Sequence, residues 1–124
     1  MPIVLIVDDN DKNRKLARDV LRAAGFRTLE AGTGAEAISQ AAEHGPDVIL
    51  MDLRLPDMDG MEVARRLGGG ERTARIPVVA LSAMPLDGSG EWLDAAGFVG
   101  WLEKPITVSM FPDQVRRFCV GSGG

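Results

Sequence analysis

A chain of 124 residues is one domain with room for a real core, and 45% apolar with 26% charged residues is ordinary for a soluble globular protein. The net charge of −4 excludes a sequence-independent grip on nucleic acid, which needs a basic face. No apolar run approaches the roughly 18–20 residues of a membrane span, and the N-terminus lacks a basic segment followed by a signal-type apolar one. The single cysteine, Cys119, has no partner for an internal disulfide, so a reducing cytoplasm is the expected home and packing its expected role.

Ile3-Val4-Leu5-Ile6-Val7 reads as a buried strand running into Asp8-Asp9-Asn10-Asp11. Leu16, Ala17, Val20, Leu21 and Ala24 then form one stripe at helical period, closed by Gly25. Phe26 to Ala31 is a weaker strand, interrupted by Arg27, Thr28 and Glu30. Thr33-Gly34-Ala35-Glu36 matches a capping box, with Ala35, Ile38, Ala41 and Ala42 continuing the helix. His44, the one histidine, precedes Gly45 at the helix end, where a cation is favoured. Val48-Ile49-Leu50-Met51 forms a strand buried on both faces that runs into Asp52, and a Pro/Asp/Gly-rich loop follows to Gly60.

Asp59-Gly60-Met61-Glu62 starts another helix, with Val63, Ala64 and Leu67 inward and Gly68-Gly69-Gly70 ending it. Ile76 to Leu81 is the fourth strand and delivers Ser82. Pro85 and several small residues between Ala83 and Gly90 disfavour helix, so a loop precedes a short helix from about Glu91 to Ala96, capped by Gly97. Val99 to Leu102 is the fifth strand, ending at Lys104-Pro105. Val108, Phe111, Val115 and Phe118 mark a last helix with Ser109 as its N-cap and Pro112 in its first turn. Residues 1–120 are expected to form one domain and 121–124 a frayed tail.

Five alternations of strand and helix force a parallel sheet with helices on both faces, because crossovers are right-handed. Parallel strands place their carboxyl ends on one edge, where open α/β sheets bind ligands. Asp8, Asp9, Asp52, Ser82 and Lys104 therefore converge. Each alone has a mundane role as turn former, cap or surface residue; four strand ends carrying such groups together point to chemistry. Three carboxylates repel, and a divalent cation removes the conflict; oxygen donors without His or Cys favour Mg²⁺, or Mn²⁺ in its place. Asp52, on the central strand, is the nucleophile for an aspartyl-phosphate, with Ser82 and Lys104 facing two phosphoryl oxygens.

These residues resemble those of response-regulator receiver domains of two-component signalling, from Ile3 to Val120. The pattern is an acidic pair (Asp8, Asp9), an Asp in a D-x-x-x-P-x-x-D-G setting (Asp52), a Ser/Thr (Ser82) and a Lys-Pro (Lys104, Pro105). The resemblance implies a flavodoxin-like three-layer sandwich: a five-stranded parallel sheet of order 2-1-3-4-5 with five helices on both faces. It implies phosphoryl transfer to Asp52 from a sensor histidine kinase or phosphotransfer protein. It also implies metal ligation by Asp9, Asp52 and the Arg54 carbonyl, with Asp8 acting mainly through water, and a cis bond at Pro105.

In the family, phosphorylation draws the Ser/Thr inward and an aromatic residue follows. Trp101 matches that position, where Tyr or Phe is usual, so Ser82 and Trp101 are the switch candidates. Arg54 and Met84 match positions that tune phosphate lifetime. The chain, as given, stops after the last helix, so signalling is expected to pass to a downstream protein, as monomer or weak dimer. Trp92, Trp101, Met84 and Met110 are candidates for that contact. An enzyme alternative is a haloacid-dehalogenase-like phosphatase, from the D-x-D of Asp9 and Asp11. Against it, such enzymes carry the nucleophile on the first strand and are longer. A flavodoxin is disfavoured because the acidic loop repels a cofactor phosphate, and a phosphate-free pseudo-receiver because the acidic set is complete.

Overall fold

The computed structural model describes residues 2–82, 97–103 and 106–119. Five strands, β1 (Ile3–Val7), β2 (Arg27–Ala31), β3 (Val48–Asp52), β4 (Val78–Ser82) and β5 (Phe98–Glu103), form one sheet of order β2-β1-β3-β4-β5, every pair parallel. Among the described residues the helices are α1 (Asp11–Ala23), α2 (Gly34–His44), α3 (Gly60–Gly68) and α4 (Phe111–Phe118). The expected short helix over residues 91–96, with Trp92, lies outside the described residues.

Alternation along each strand divides the core in two. Leu5, Val7, Ile49, Met51, Val78 and Ala80 point to one face, where α2 contributes Ala37 and Ala41, and α3 contributes Val63, Ala64 and Leu67. Val4, Ile6, Val48, Leu50, Val79 and Leu81 point to the other, against Ala17 and Leu21 of α1 and Phe111 and Val115 of α4. The result is three layers. Burying each of these larger side chains contributes about 1.5–3 kcal/mol, and β1, β3 and β4 are buried on both faces. Cys119 packs in the second layer as expected, and burial, with the Asp47 carboxylate adding, pushes its thiol up to about 11.

Several local expectations are corrected. Leu16 is 44% exposed, because the inward line of α1 runs through Ala17 and Leu21 and leaves Leu16 one position off it. Ala35 is likewise exposed, with Ala37 and Ala41 taking the inward places. β2 starts at Arg27 and β4 at Val78. The last helix begins at Phe111, with Met110 rather than Ser109 at its cap and no side-chain capping bond. Met110 N and Phe111 N both donate to Thr107 O, so a turn occupies the place where Ser109 would cap, and Val108 is 56% exposed on it. The N-caps of α2 and α3 follow the expected pattern: Thr33 accepts from Glu36 N, Asp59 from Met61 N, and α2 ends at His44.

Candidate functional site

β1 and β3 are neighbours at the centre of the sheet, with Val7 level with Met51. Asp8 and Asp52 therefore leave the sheet side by side. Asp8, Asp9 and Asp52 each present a carboxylate oxygen, all within 4.8 Å of one another. Asp8 is buried, Asp52 half-buried and Asp9 exposed, so the cluster is open on one side. The donor set is all oxygen, without His or Cys. Such a set suits a hard divalent cation of the Mg²⁺ class, whose charge relieves the mutual repulsion of three carboxylates.

The turn after β1 is built locally. Asp8 N extends the ladder to Ala31 O at 3.1 Å, and Asp8 Oδ1 accepts from Asn10 N at 2.9 Å. Asn10 caps α1 by accepting from Lys12 N and Asn13 N at 2.9 and 3.1 Å. Arg14, one turn into that helix, donates to Asp8 O at 2.7 Å, pairs with Asp11, and reaches Glu30 Oε1 at 3.4 Å. Arg18 meets the other Glu30 oxygen at 3.3 Å. The sequence reading missed Arg14. Its one signal was Glu30, which interrupts the apolar pattern of β2 because it faces these two arginines.

The loop after β3 closes on itself. Asp52 Oδ1 accepts from Arg54 N at 3.0 Å, Arg54 and Asp59 form an antiparallel bridge, and Gly60 N donates to Leu53 O at 3.0 Å. Gly60 is required by this close approach: a Cβ there would lie 2.6 Å from Asp52 O and 2.9 Å from Leu53 Cα. Asp57 was also missed. It accepts from Gly34 N and Ala35 N, and those two N–H groups hold its carboxyl below the usual carboxylate range.

The sheet register carries Ser82 toward the same edge. Asp52 is level with Leu81, and Ser82, the last residue of β4, is level with Glu103 of β5. Lys104, Pro105 and Met84 lie outside the described residues, as does the side chain of Ser82. The Arg54 side chain is exposed. Trp101 is level with Ala80 and 38% exposed, and Met110 is 55% exposed.

A five-stranded parallel sheet of this order, with a carboxylate cluster at the ends of its two central strands, defines a receiver-type signalling domain. The model of the response regulator receiver domain matches residues 4–116, and the chain belongs to that family. It is similar to the polar-differentiation response regulator DivK of Brucella ovis and of Brucella suis, 39% identical over 115 residues, covering 93% of this chain and 94% of each relative. Among solved structures it resembles the chemotaxis protein CheY4 of Vibrio cholerae (TM-score 0.88, 28% identity, 95% of this chain and 98% of that one). It also resembles the receiver domain of a sensor histidine kinase of Pseudomonas aeruginosa, described with a magnesium ion coordinated in its active-site cleft (TM-score 0.86, 32% identity, 99% and 98% covered). Receiver domains are the phosphorylation-dependent switches of two-component signalling, and the chain is a signalling protein of that kind. Among the described residues no helix is long and apolar enough to cross a membrane.

Proposed function

We propose that Asp52 is the phospho-accepting residue and that Asp8, Asp9, Asp52 and the Arg54 main-chain carbonyl hold Mg²⁺, with Mn²⁺ able to replace it. The observation that carries this reading is the convergence of three carboxylates within 4.8 Å on the ends of adjacent strands. Asp52 is the member on the central strand, half-buried and steadied by Arg54 N. An Asp52 oxygen attacks the phosphorus of a phospho-histidine on a sensor kinase or phosphotransfer protein. The P–O bond forms as the P–N bond breaks, and the imidazole leaves. When bound, the cation neutralises phosphoryl charge.

Ser82 and Lys104 complete the set as hydrogen-bond donor and point charge to the two other oxygens. The chain catalyses nothing beyond its own phosphorylation and dephosphorylation. Ser82 and Trp101 form the switch, while the exposed Arg54 side chain and Met84 shield the phosphoryl group from water. A downstream protein in the cytoplasm reads the altered surface, with the chain acting as monomer or weak dimer.

Intact mass after incubation with acetyl phosphate and Mg²⁺ tests the reading. One added phosphoryl group on the wild type and none on Asp52→Asn is the expected result. No gain on the wild type, or an equal gain on the variant, contradicts it.

A further inference from the structure

The first N–H groups of a helix lack intrahelical partners, and a carboxylate there is favoured by hydrogen bonding and by the helix dipole. In α2 the third of these, Glu36 N, goes to the helix's own cap, Thr33 Oγ1, at 3.1 Å. The first two go elsewhere. Gly34 N donates to Asp57 Oδ1 at 2.7 Å and Ala35 N to Asp57 Oδ2 at 3.0 Å, across 23 and 22 residues. Water could satisfy these groups equally well. A carboxylate that takes one with each oxygen instead fixes the segment it belongs to.

That segment is the loop after Asp52. Its base is closed by the Arg54–Asp59 bridge and the Gly60 N–Leu53 O bond, and Arg54 N reaches Asp52 Oδ1. Its tip is docked twice, through Asp57 and through the adjacent Met58. Met58 lies so close under Gly34 that a Cβ at residue 34 would be 2.5 Å from Met58 Cγ. The start of α2 and the surroundings of Asp52 are thus one mechanical unit.

We propose that Asp57 is a positioning residue for the acidic site: by tying the loop tip to the start of α2, it holds the Arg54 main chain where its carbonyl joins Asp8, Asp9 and Asp52 around a divalent cation. This rests on the ligand set proposed above. A plain helix cap would act on α2 alone, whereas a positioning residue acts on Arg54 as well.

The test uses the whole chain with Mg²⁺ as the probe, read by calorimetric titration and by amide hydrogen exchange. Asp57→Ala is expected to weaken Mg²⁺ binding about tenfold, the scale seen when supports of metal ligands are removed. It should also speed exchange at Arg54 together with Gly34 and Ala35. Asp57→Asn, which keeps an acceptor oxygen, should recover part of the affinity. Faster exchange confined to Gly34 and Ala35, with Mg²⁺ binding and Arg54 protection unchanged, would overturn the proposal. Should Asp57→Ala fail to fold, Asp57→Asn, which gives up one of the two acceptor oxygens, carries the test, and Mg²⁺ binding and Arg54 exchange identical to the wild type in it overturn the proposal. A wild-type chain that takes no Mg²⁺ overturns the ligand set itself and this proposal with it. Wild-type binding with an indifferent Asp57→Ala overturns the positioning role alone.

Discussion

The turn after β1 and the loop after β3 deliver carboxylates to the same point but are fastened in opposite ways. Around Asp8 and Asp9 the bonds come chiefly from nearby in sequence: the Asn10 cap, the Asn10 N–Asp8 bond and the Arg14 guanidinium on the Asp8 carbonyl. The loop after Asp52 depends on distant parts of the chain, with Asp57 on the start of α2 and Met58 beneath Gly34, and on the bare Cα of Gly60. Asp8 and Asp9 therefore sit on a turn that is largely locally built. The surroundings of the candidate nucleophile depend on tertiary packing.

This contrast can be broken experimentally, starting at Gly60. Gly60→Ala forces a Cβ against the backbone of Asp52 and Leu53, and overpacking of that kind costs about 1–3 kcal/mol. Urea unfolding should show the loss, and acetyl-phosphate labelling of the folded fraction should slow. Asn10→Ala, on the locally built side, should cost only about 1 kcal/mol, the usual cost of a lost N-cap. It should leave the amide exchange of Arg54 and Gly60 unchanged, because the bonds Asn10 makes among the described residues run to Asp8 and to the start of α1. An equal spread of damage from both substitutions would erase the distinction.

A smaller effect comes from acid. The Asp57 carboxyl is held below its ordinary 3.8 by Gly34 N and Ala35 N. The stabilisation it provides is complete above that ordinary value and is lost as pH falls through the lower folded-state value. Amide shifts of Gly34 and Ala35 should therefore stay constant above the ordinary carboxylate range and move below it, with no corresponding step in Asp57→Asn.

The strands and most helix boundaries were legible because apolar runs ending in Asp8, Asp52 and Ser82 carry both a burial pattern and its stop. The same runs located the acidic cluster, since parallel strands leave no choice about which edge their ends share. Leu16 and Ala35 show where periodicity fails: both sit one position off the buried line, a difference smaller than the width of an apolar stripe. Ser109 failed because a turn at Thr107 moves the cap of α4 one residue on, to Met110. Arg14 and Asp57 were not legible at all. An arginine on an exposed-looking helix turn and an aspartate beside a proline each have an ordinary surface role, and the partners that give them meaning, Glu30 and the N–H groups of α2, are 16 to 23 residues away.

The central claim is that Asp52 itself carries the phosphoryl group. Treating the chain with acetyl phosphate and Mg²⁺, reducing it with borohydride and mapping its peptides by mass spectrometry addresses this directly, because an acyl phosphate is reduced to the alcohol and marks its residue as homoserine. Homoserine is expected at position 52 and nowhere else. Homoserine at position 8 or 9, or none on a chain whose intact mass shows that it gained phosphate, would contradict it.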